Sequence, residues 1–286
     1  MSSVGVSAEL GRPIKGPSAL GSDPRRFWHL TWTLAITEWK LRFFGSALGY
    51  LWSVFRPLML FGVLYGVYSL VVGEDIVPYF PEAMLLGVVL FTYFSEATKG
   101  CVTSLIQREP LVRKIEFPRA AVPLSVVLTA TFNLGLNLLP VFVFLLIDGG
   151  HVLWTWLELP VLIVALGFLA TGVGMLLSAM FVRYRDIDPI WDVVLQVMFY
   201  ASPIFYPIEL LYQKDHGDLA QLLMVNPFAA VLQQARRAVF GPEHLSAAEA
   251  IGGWSHMVAP VAVAGLVVVV GGLVFSRRAP RIAEEL

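Results

Sequence analysis

Three stretches of this chain, residues 120–147, 159–182 and 258–275, contain no aspartate, glutamate, lysine or arginine. A bilayer core about 30 Å thick is crossed by roughly 20 mostly apolar helical residues, because within lipid every backbone N–H and C=O must bond inside its own segment. Each stretch therefore predicts a spanning helix. Three less uniform runs, 57–72, 83–106 and 190–204, complete a set of six; the second holds Glu96 and Lys99, and the third holds Asp192 and Pro203. Such interruptions are tolerated where charge and free backbone are buried in protein or face a wet cavity. The composition agrees, since 57% of the 286 residues are hydrophobic and 14% charged, outside the range of soluble domains.

Six spans put both ends of the chain on one side, and the cations indicate which side. All but three of the 20 lysines and arginines fall with the chain ends; the exceptions are Lys214, Arg236 and Arg237. By the positive-inside rule both termini are expected in the cytoplasm. The net charge of −1 hides this sorting and says nothing about a nucleic-acid partner. No apolar run of signal-peptide length opens the chain, so residues 1–26, rich in glycine and proline, read as an uncleaved flexible cytosolic tail. A single cysteine, Cys101, allows no internal disulfide.

Between tail and first span, Trp28, Trp32, Ala35, Trp39 and Phe43 recur at helical spacing, while Lys40 lies off that stripe and Glu38 precedes Arg42 by four residues. Residues 27–56 thus predict an amphipathic helix along the inner leaflet, where tryptophan favours the headgroup level. It serves either as an anchor or as a gate. The connection at 105–119 mixes charge with Leu111, Val112, Ile115 and Phe117, which suits a short helix docked either on a partner or on the ends of neighbouring spans.

In the next connection on that side, Arg183, Arg185 and Asp186 lead to Asp188 and Pro189, a cap followed by a first-turn proline. Capping and pairing with the two arginines account for these carboxylates without catalysis. Residues 201–254 are too broken for a span and too apolar for a free loop. Pro203, Pro207 and Pro227 punctuate the segment, Tyr200, Phe205 and Tyr206 enrich it, and 225–240 predicts a short helix. Helices dipping into the membrane from outside fit this pattern. Their aromatics suit an interfacial belt or contacts with sugar faces. Gly62 and Gly66 give the first span a small-residue face, a common feature.

No Gly-x-x-x-x-Gly-Lys-Ser/Thr occurs, so no phosphate-cradling loop for ATP is expected in this chain. Neither a Gly-x-Ser-x-Gly elbow nor a His-Glu-x-x-His pair is present, and the five histidines lack ligand spacing. The cleanest spans have no carboxylate for ion coupling, and Glu96 has Lys99 one turn away as an expected partner.

Several strings, in order, resemble the permease subunits of type-2 ABC exporters of polysaccharide and teichoic acid. Leu41 to Pro57, with Leu48-Gly-Tyr-Leu-Trp52 at its centre, is similar to the family's basic, aromatic lead into the first span. Leu111-Val-Arg-Lys-Ile-Glu-Phe-Pro-Arg119 with Pro123-Leu, Arg185-Asp-Ile187, Ser202-Pro-Ile-Phe-Tyr-Pro207 and Asn226-Pro227 continue the likeness over most of the chain. One departure is Arg108-Glu-Pro110, where members of the family often carry an asparagine.

The resemblance implies an all-α integral membrane fold. Its parts are an interface helix (27–56), six spans (57–276), re-entrant outer helices between spans five and six (201–240), and a cytosolic tail (277–286). It also implies a homodimer with two copies of a separate ATPase that holds ATP and Mg, this chain binding no cofactor, metal or nucleic acid. Glu109, Leu111, Val112, Arg113, Lys114, Ile115 and Phe117 would seat on the ATPase, and Trp39, Arg42, Phe43, Leu48, Gly49 and Trp52 would form the gate. Tyr200, Pro203, Phe205, Tyr206, Pro207, Asn226 and Pro227 would line the outer path of a lipid-linked glycan across the bacterial cytoplasmic membrane. Alternatives are export of a drug, peptide or small lipid, or a non-transport role in glycan assembly.

Overall fold

The computed structural model describes residues 23–42, 44, 49–71, 77–112 and 117–285, and contains no strand among them. Helix α1 (Pro24–Arg42) is followed by α2 (Leu51–Val71), α3 (Phe80–Gln107), the single turn α4 (Glu109–Val112) and α5 (Ala121–Ile147). A 3-10 turn, Trp154–Leu157, leads into α6 (Glu158–Phe181). Beyond it come α7 (Ile187–Ala201), α8 (Glu209–Gln213), α9 (Gly217–Met224), α10 (Pro227–Phe240), α11 (Ala247–Ala250) and α12 (Val258–Glu285).

Five of these are long and apolar enough to cross a membrane: Leu51–Val71, Phe80–Gln107, Ala121–Ile147, Trp154–Phe181 and Val258–Pro280. The expected span at 190–204 takes another form. Helix α7 has 15 residues, a length of about 22 Å, which falls short of a bilayer core.

Helix α3 is the hub, buried along most of its length between α5, α6, α2, α7 and α10. On its far flank α6 meets α12 backbone to backbone. A Cβ on Gly271 would lie 2.0 Å from the Gly172 carbonyl oxygen, so only glycine permits this approach. Gly62 and Gly66, by contrast, have no heavy atom of another residue within 4 Å of such a position.

The first span begins earlier than its hydropathy suggests. Helix α2 starts at Leu51 and carries Pro57 buried inside it, after a turn in which Gly49 has a φ of 47°. That left-handed backbone suits glycine. The predicted 27–56 helix is therefore two elements.

Helix α1 buries Thr31 and Ala35, which are one turn apart. Thr129 Oγ1 donates to the Ala35 carbonyl at 3.2 Å, and Trp39 Nε1 donates to Asn133 Oδ1 at 3.0 Å. Both partners advance by four residues, so α1 runs beside the first half of α5 in the same direction. Trp28 and Trp32 remain about half exposed. The helix is seated on the bundle, alongside the start of α5.

One end of the bundle, where α3 and α6 finish and α5 begins, carries Arg108, Arg183 and Arg185 and is called the basic end here. At the opposite, far end, α10 lies antiparallel to α3. Phe228 sits 5.5 Å from Phe91 and 5.6 Å from Phe94, whereas Arg236 Nε donates to the Ala83 carbonyl at 3.2 Å. Phe94 and Ala83 are separated by about 16 Å of helix. Phe199 near the end of α7 also meets Phe91, at 5.1 Å. Thus α7 stops at mid-bundle, and α10 rises from that level to the far end beneath α8 and α9. The chain thus turns at mid-bundle after α7 and returns to the far end through α10.

Candidate functional site: a charged face where two helices pass

At the basic end, the Arg108 carbonyl accepts from the N–H groups of Leu111 (2.9 Å) and Val112 (3.1 Å), which closes the α4 turn. Val112 and Phe117 are buried in one cluster with Ala179 of α6, Val182 just beyond its end, and Phe275 and Ala279 of α12, and half-buried Leu111 packs on the same cluster. These side chains bind the segment to its own bundle. The expectation that they face a partner is corrected for Val112 and Phe117. Glu109 opens α4 beside exposed Pro110. Arg113, Lys114 and Ile115 lie outside the described residues, as do Phe43 and Leu48.

Four charged residues gather where α1 passes α3. Arg42 pairs with Glu96, whose Oε1 also accepts from Asn133 Nδ2 at 2.7 Å. Arg108 pairs with Glu38 and donates to Ser125 Oγ at 2.7 Å. A cavity of about 570 Å³ lies between these pairs, walled by Thr37, Thr103, Ser104 and Gln107. A turn away, Lys99 pairs with Asp192 of α7, and Trp191 Nε1 donates to Thr98 Oγ1 at 3.1 Å. Two expected pairs are thereby corrected, because Glu96 pairs with Arg42 instead of Lys99, and Glu38 pairs with Arg108 instead of Arg42. Tertiary partners hold these side chains more directly than intrahelical neighbours can.

Of the gate residues, Trp39 lies between Asn133 and the Tyr50 ring, 4.7 Å away. Trp52 is exposed and meets Phe55 edge-on at 5.8 Å. Arg183, Arg185 and Asp186 are exposed, with the guanidiniums over Tyr184 (5.5 Å) and Phe181 (5.1 Å). Asp188 is not the cap, since α7 begins at Ile187 and no side chain caps its start. No described ion pair joins Asp186 or Asp188 to those arginines.

At mid-bundle, where α10 starts, Asn226 Oδ1 caps that helix by accepting from Phe228 N at 3.0 Å, with Pro227 at the first helical position. Its Nδ2 donates to Ser202 Oγ at 3.2 Å, fastening α10 to the turn that carries buried Pro203 and Pro207. Tyr200, Phe205 and Tyr206 form a ring chain with centroids 6.0 and 5.1 Å apart; Tyr200 is exposed and the other two are half-buried.

Sequence reasoning missed Arg236. It is 1% exposed, donates to the Ile204 carbonyl at 2.8 Å as well as to Ala83, and lies 5.8 Å from the Phe80 ring centre. It also missed His244. That ring bonds the Pro78 carbonyl at 2.9 Å, so Nε2 carries the proton, and burial together with the Arg236 charge pushes its pKa down to about 4. Their clue was Arg236 itself, one of three cations on the wrong side of a sorted chain.

A helical bundle with five helices long and apolar enough to cross a membrane, and with charge pairs beside a cavity between α1 and α3, fits the class of membrane transport proteins. The sequence profile of the ABC-2 type transporter family matches residues 29–240, and the chain belongs to that family. It is 27% identical to the O-antigen export system permease protein RfbA of Myxococcus xanthus over 89% of this chain and 94% of that protein. A Klebsiella pneumoniae protein of the same name is 26% identical, over 68% of this chain and 73% of its own. The polysialic acid transport protein KpsM of Escherichia coli is 22% identical over 74% and 81% respectively.

Proposed function

We propose that this chain is the membrane-spanning subunit of an exporter that moves a lipid-linked polysaccharide, an O-antigen-like or teichoic-acid-like polymer, across the bacterial cytoplasmic membrane. One observation carries the reading. Lys99 of α3 and Asp192 of α7 are about half exposed, 48% and 47%, beside the exposed apolar side chains Val193, Val194 and Val197 of α7, and Arg42 with Glu96 lies a turn away. Charge at that depth is expensive in lipid and persists where it faces a watered path. Two copies of the chain facing each other would enclose such a path. The names of the relatives supply its cargo.

Energy then enters at the basic end, from an ATPase on a separate chain that carries ATP and Mg. Residues 105–119 seat on that subunit through Glu109, Arg113 and Lys114. Because Val112 and Phe117 are embedded against the ends of α6 and α12, a push on α4 reaches both spans through buried contacts that do not compress. The re-entrant helices close the outer mouth until the spans part, a shift between two packed states driven by nucleotide. Both termini lie in the cytoplasm on this reading.

The test is reversal of Arg113 and Lys114 to glutamate, with insertion, ATPase co-purification and surface polymer all measured. The expected result is an inserted protein whose surface polymer collapses. Unchanged export would remove the coupling role, and failure of the native chain to co-purify with any ATPase would remove the exporter reading itself.

A further inference from the structure

We infer that Arg108 is a positioning residue that carries movement of the coupling turn to the interface helix, by a permanent tether to Glu38. The inference rests on the exporter reading above and adds to it a second route for force, besides the one into α6 and α12.

Arg108 is the residue between α3 and α4, and it is bonded in three directions. Its carbonyl accepts from Leu111 and Val112, so α4 cannot shift without moving the Arg108 backbone. One guanidinium nitrogen donates to Ser125 Oγ at 2.7 Å, on the first turns of α5. Ser125 is itself fixed, fully buried and donating to the Val122 carbonyl at 2.8 Å. The other terminal nitrogen holds Glu38 on α1. A planar guanidinium with several fixed donors can bridge two elements in this way, which a lysine cannot.

The tether matters because little else joins α1 to α3. Helix α1 packs on α5, whereas a cavity of about 570 Å³ stands between α1 and α3. Apolar contact transmits no push across such a gap. Among the described residues, the side-chain bonds that span it are Arg108–Glu38 at one wall and Arg42–Glu96 at the other. Only the first includes a residue bonded to the coupling turn. A displacement of α4 therefore reaches α1 through Glu38, the residue before Trp39.

The experiment uses the full chain with its ATPase, returned to a strain lacking the gene, with radiolabelled sugar followed to the cell surface and ATP hydrolysis measured in membranes from the same cells. Glu38→Gln and Arg108→Gln are each expected to keep ATP hydrolysis yet lower polymer exported per ATP by roughly tenfold, the size of a typical coupling energy between sites. The exchanged pair Glu38→Arg with Arg108→Glu is expected to recover most of the loss at equal abundance. A permanent tether also tolerates a covalent one. In a Cys101→Ala background, Glu38→Cys with Arg108→Cys bridged by a short bifunctional reagent should export at least as well as the same variant left unbridged. Normal coupling in the single variants, or arrest of export by the bridge, overturns the tether. Absence of ATP-dependent export from the native complex would instead strike the exporter reading.

Discussion

The two ends of this molecule are held together by different physics. At the far end, Arg236, Gln233 and His244 are buried, each with a backbone carbonyl as partner, and below them, where α10 starts, Asn226 caps that helix while fastening it to a turn. At the basic end, α1 is joined to α3 by charge pairs that border an open cavity. Buried, hydrogen-bonded polar groups are costly to separate, because each partner would be stranded without water. Charge pairs near solvent exchange partners at little cost. The far end is thus built to stay assembled, whereas at the basic end the more exposed pair, Arg42–Glu96, is the joint that can open at little cost.

The largest expected effect breaks the far end. Arg236→Met removes the donor that joins α10 to α3 and to the 202–208 turn, leaving the buried Ile204 carbonyl without it. A loss of about 3 kcal/mol in unfolding free energy is expected. Chemical unfolding of the detergent-purified protein measures it. A loss below about 1 kcal/mol would mean that the buried guanidinium contributes no more than a surface group, and the contrast between the ends would fall.

That contrast was only half legible in the sequence. Uncharged runs disclosed α5, α6 and α12, and broken aromatic sequence disclosed the run of short helices α8 to α10, because hydropathy and proline act locally. The tertiary pairs did not show. Glu38 and Arg42 have ideal intrahelical spacing, yet each is taken by a residue 54 or more positions away. The mixed character of Leu111 to Phe117 is likewise compatible with docking on a partner or on the chain itself, and only packing assigns Val112 and Phe117 inward. Spacing records which residues share a face. It cannot record what a distant helix brings to that face, and for that reason Arg108 reads as a mere departure from the family pattern until Glu38 and Ser125 are placed beside it.

Acid provides a second, smaller probe of the far end. His244 titrates near 4 in the folded protein against an ordinary value near 6.5, so between these the unfolded chain binds more protons. Stability from this group is fully present above about pH 6.5 and is lost as pH falls toward 4. At pH 5 the expected loss is about 2 kcal/mol. Thermal unfolding at pH 7.5 and 5 should display it, and His244→Gln, which keeps a donor for Pro78, should remove most of the pH dependence. An unaltered acid response in that variant would show that other groups govern it.

The smallest expected effect on stability sharpens the other end. Arg42 and Glu96 have side chains 45% and 22% exposed, and Glu96 keeps the Asn133 donor if the arginine is lost. Arg42→Gln should therefore cost no more than about 1 kcal/mol, provided that water reaches Glu96. Were that face dry or in lipid, the carboxylate would be stranded and the loss would rise to several kcal/mol, or the group would bind a proton instead. One unfolding measurement thus distinguishes an easily opened, watered joint from a buried lock. A small loss accompanied by weakened export places the pair on the moving side of the molecule, whereas a loss as large as that of Arg236→Met would make the two ends alike.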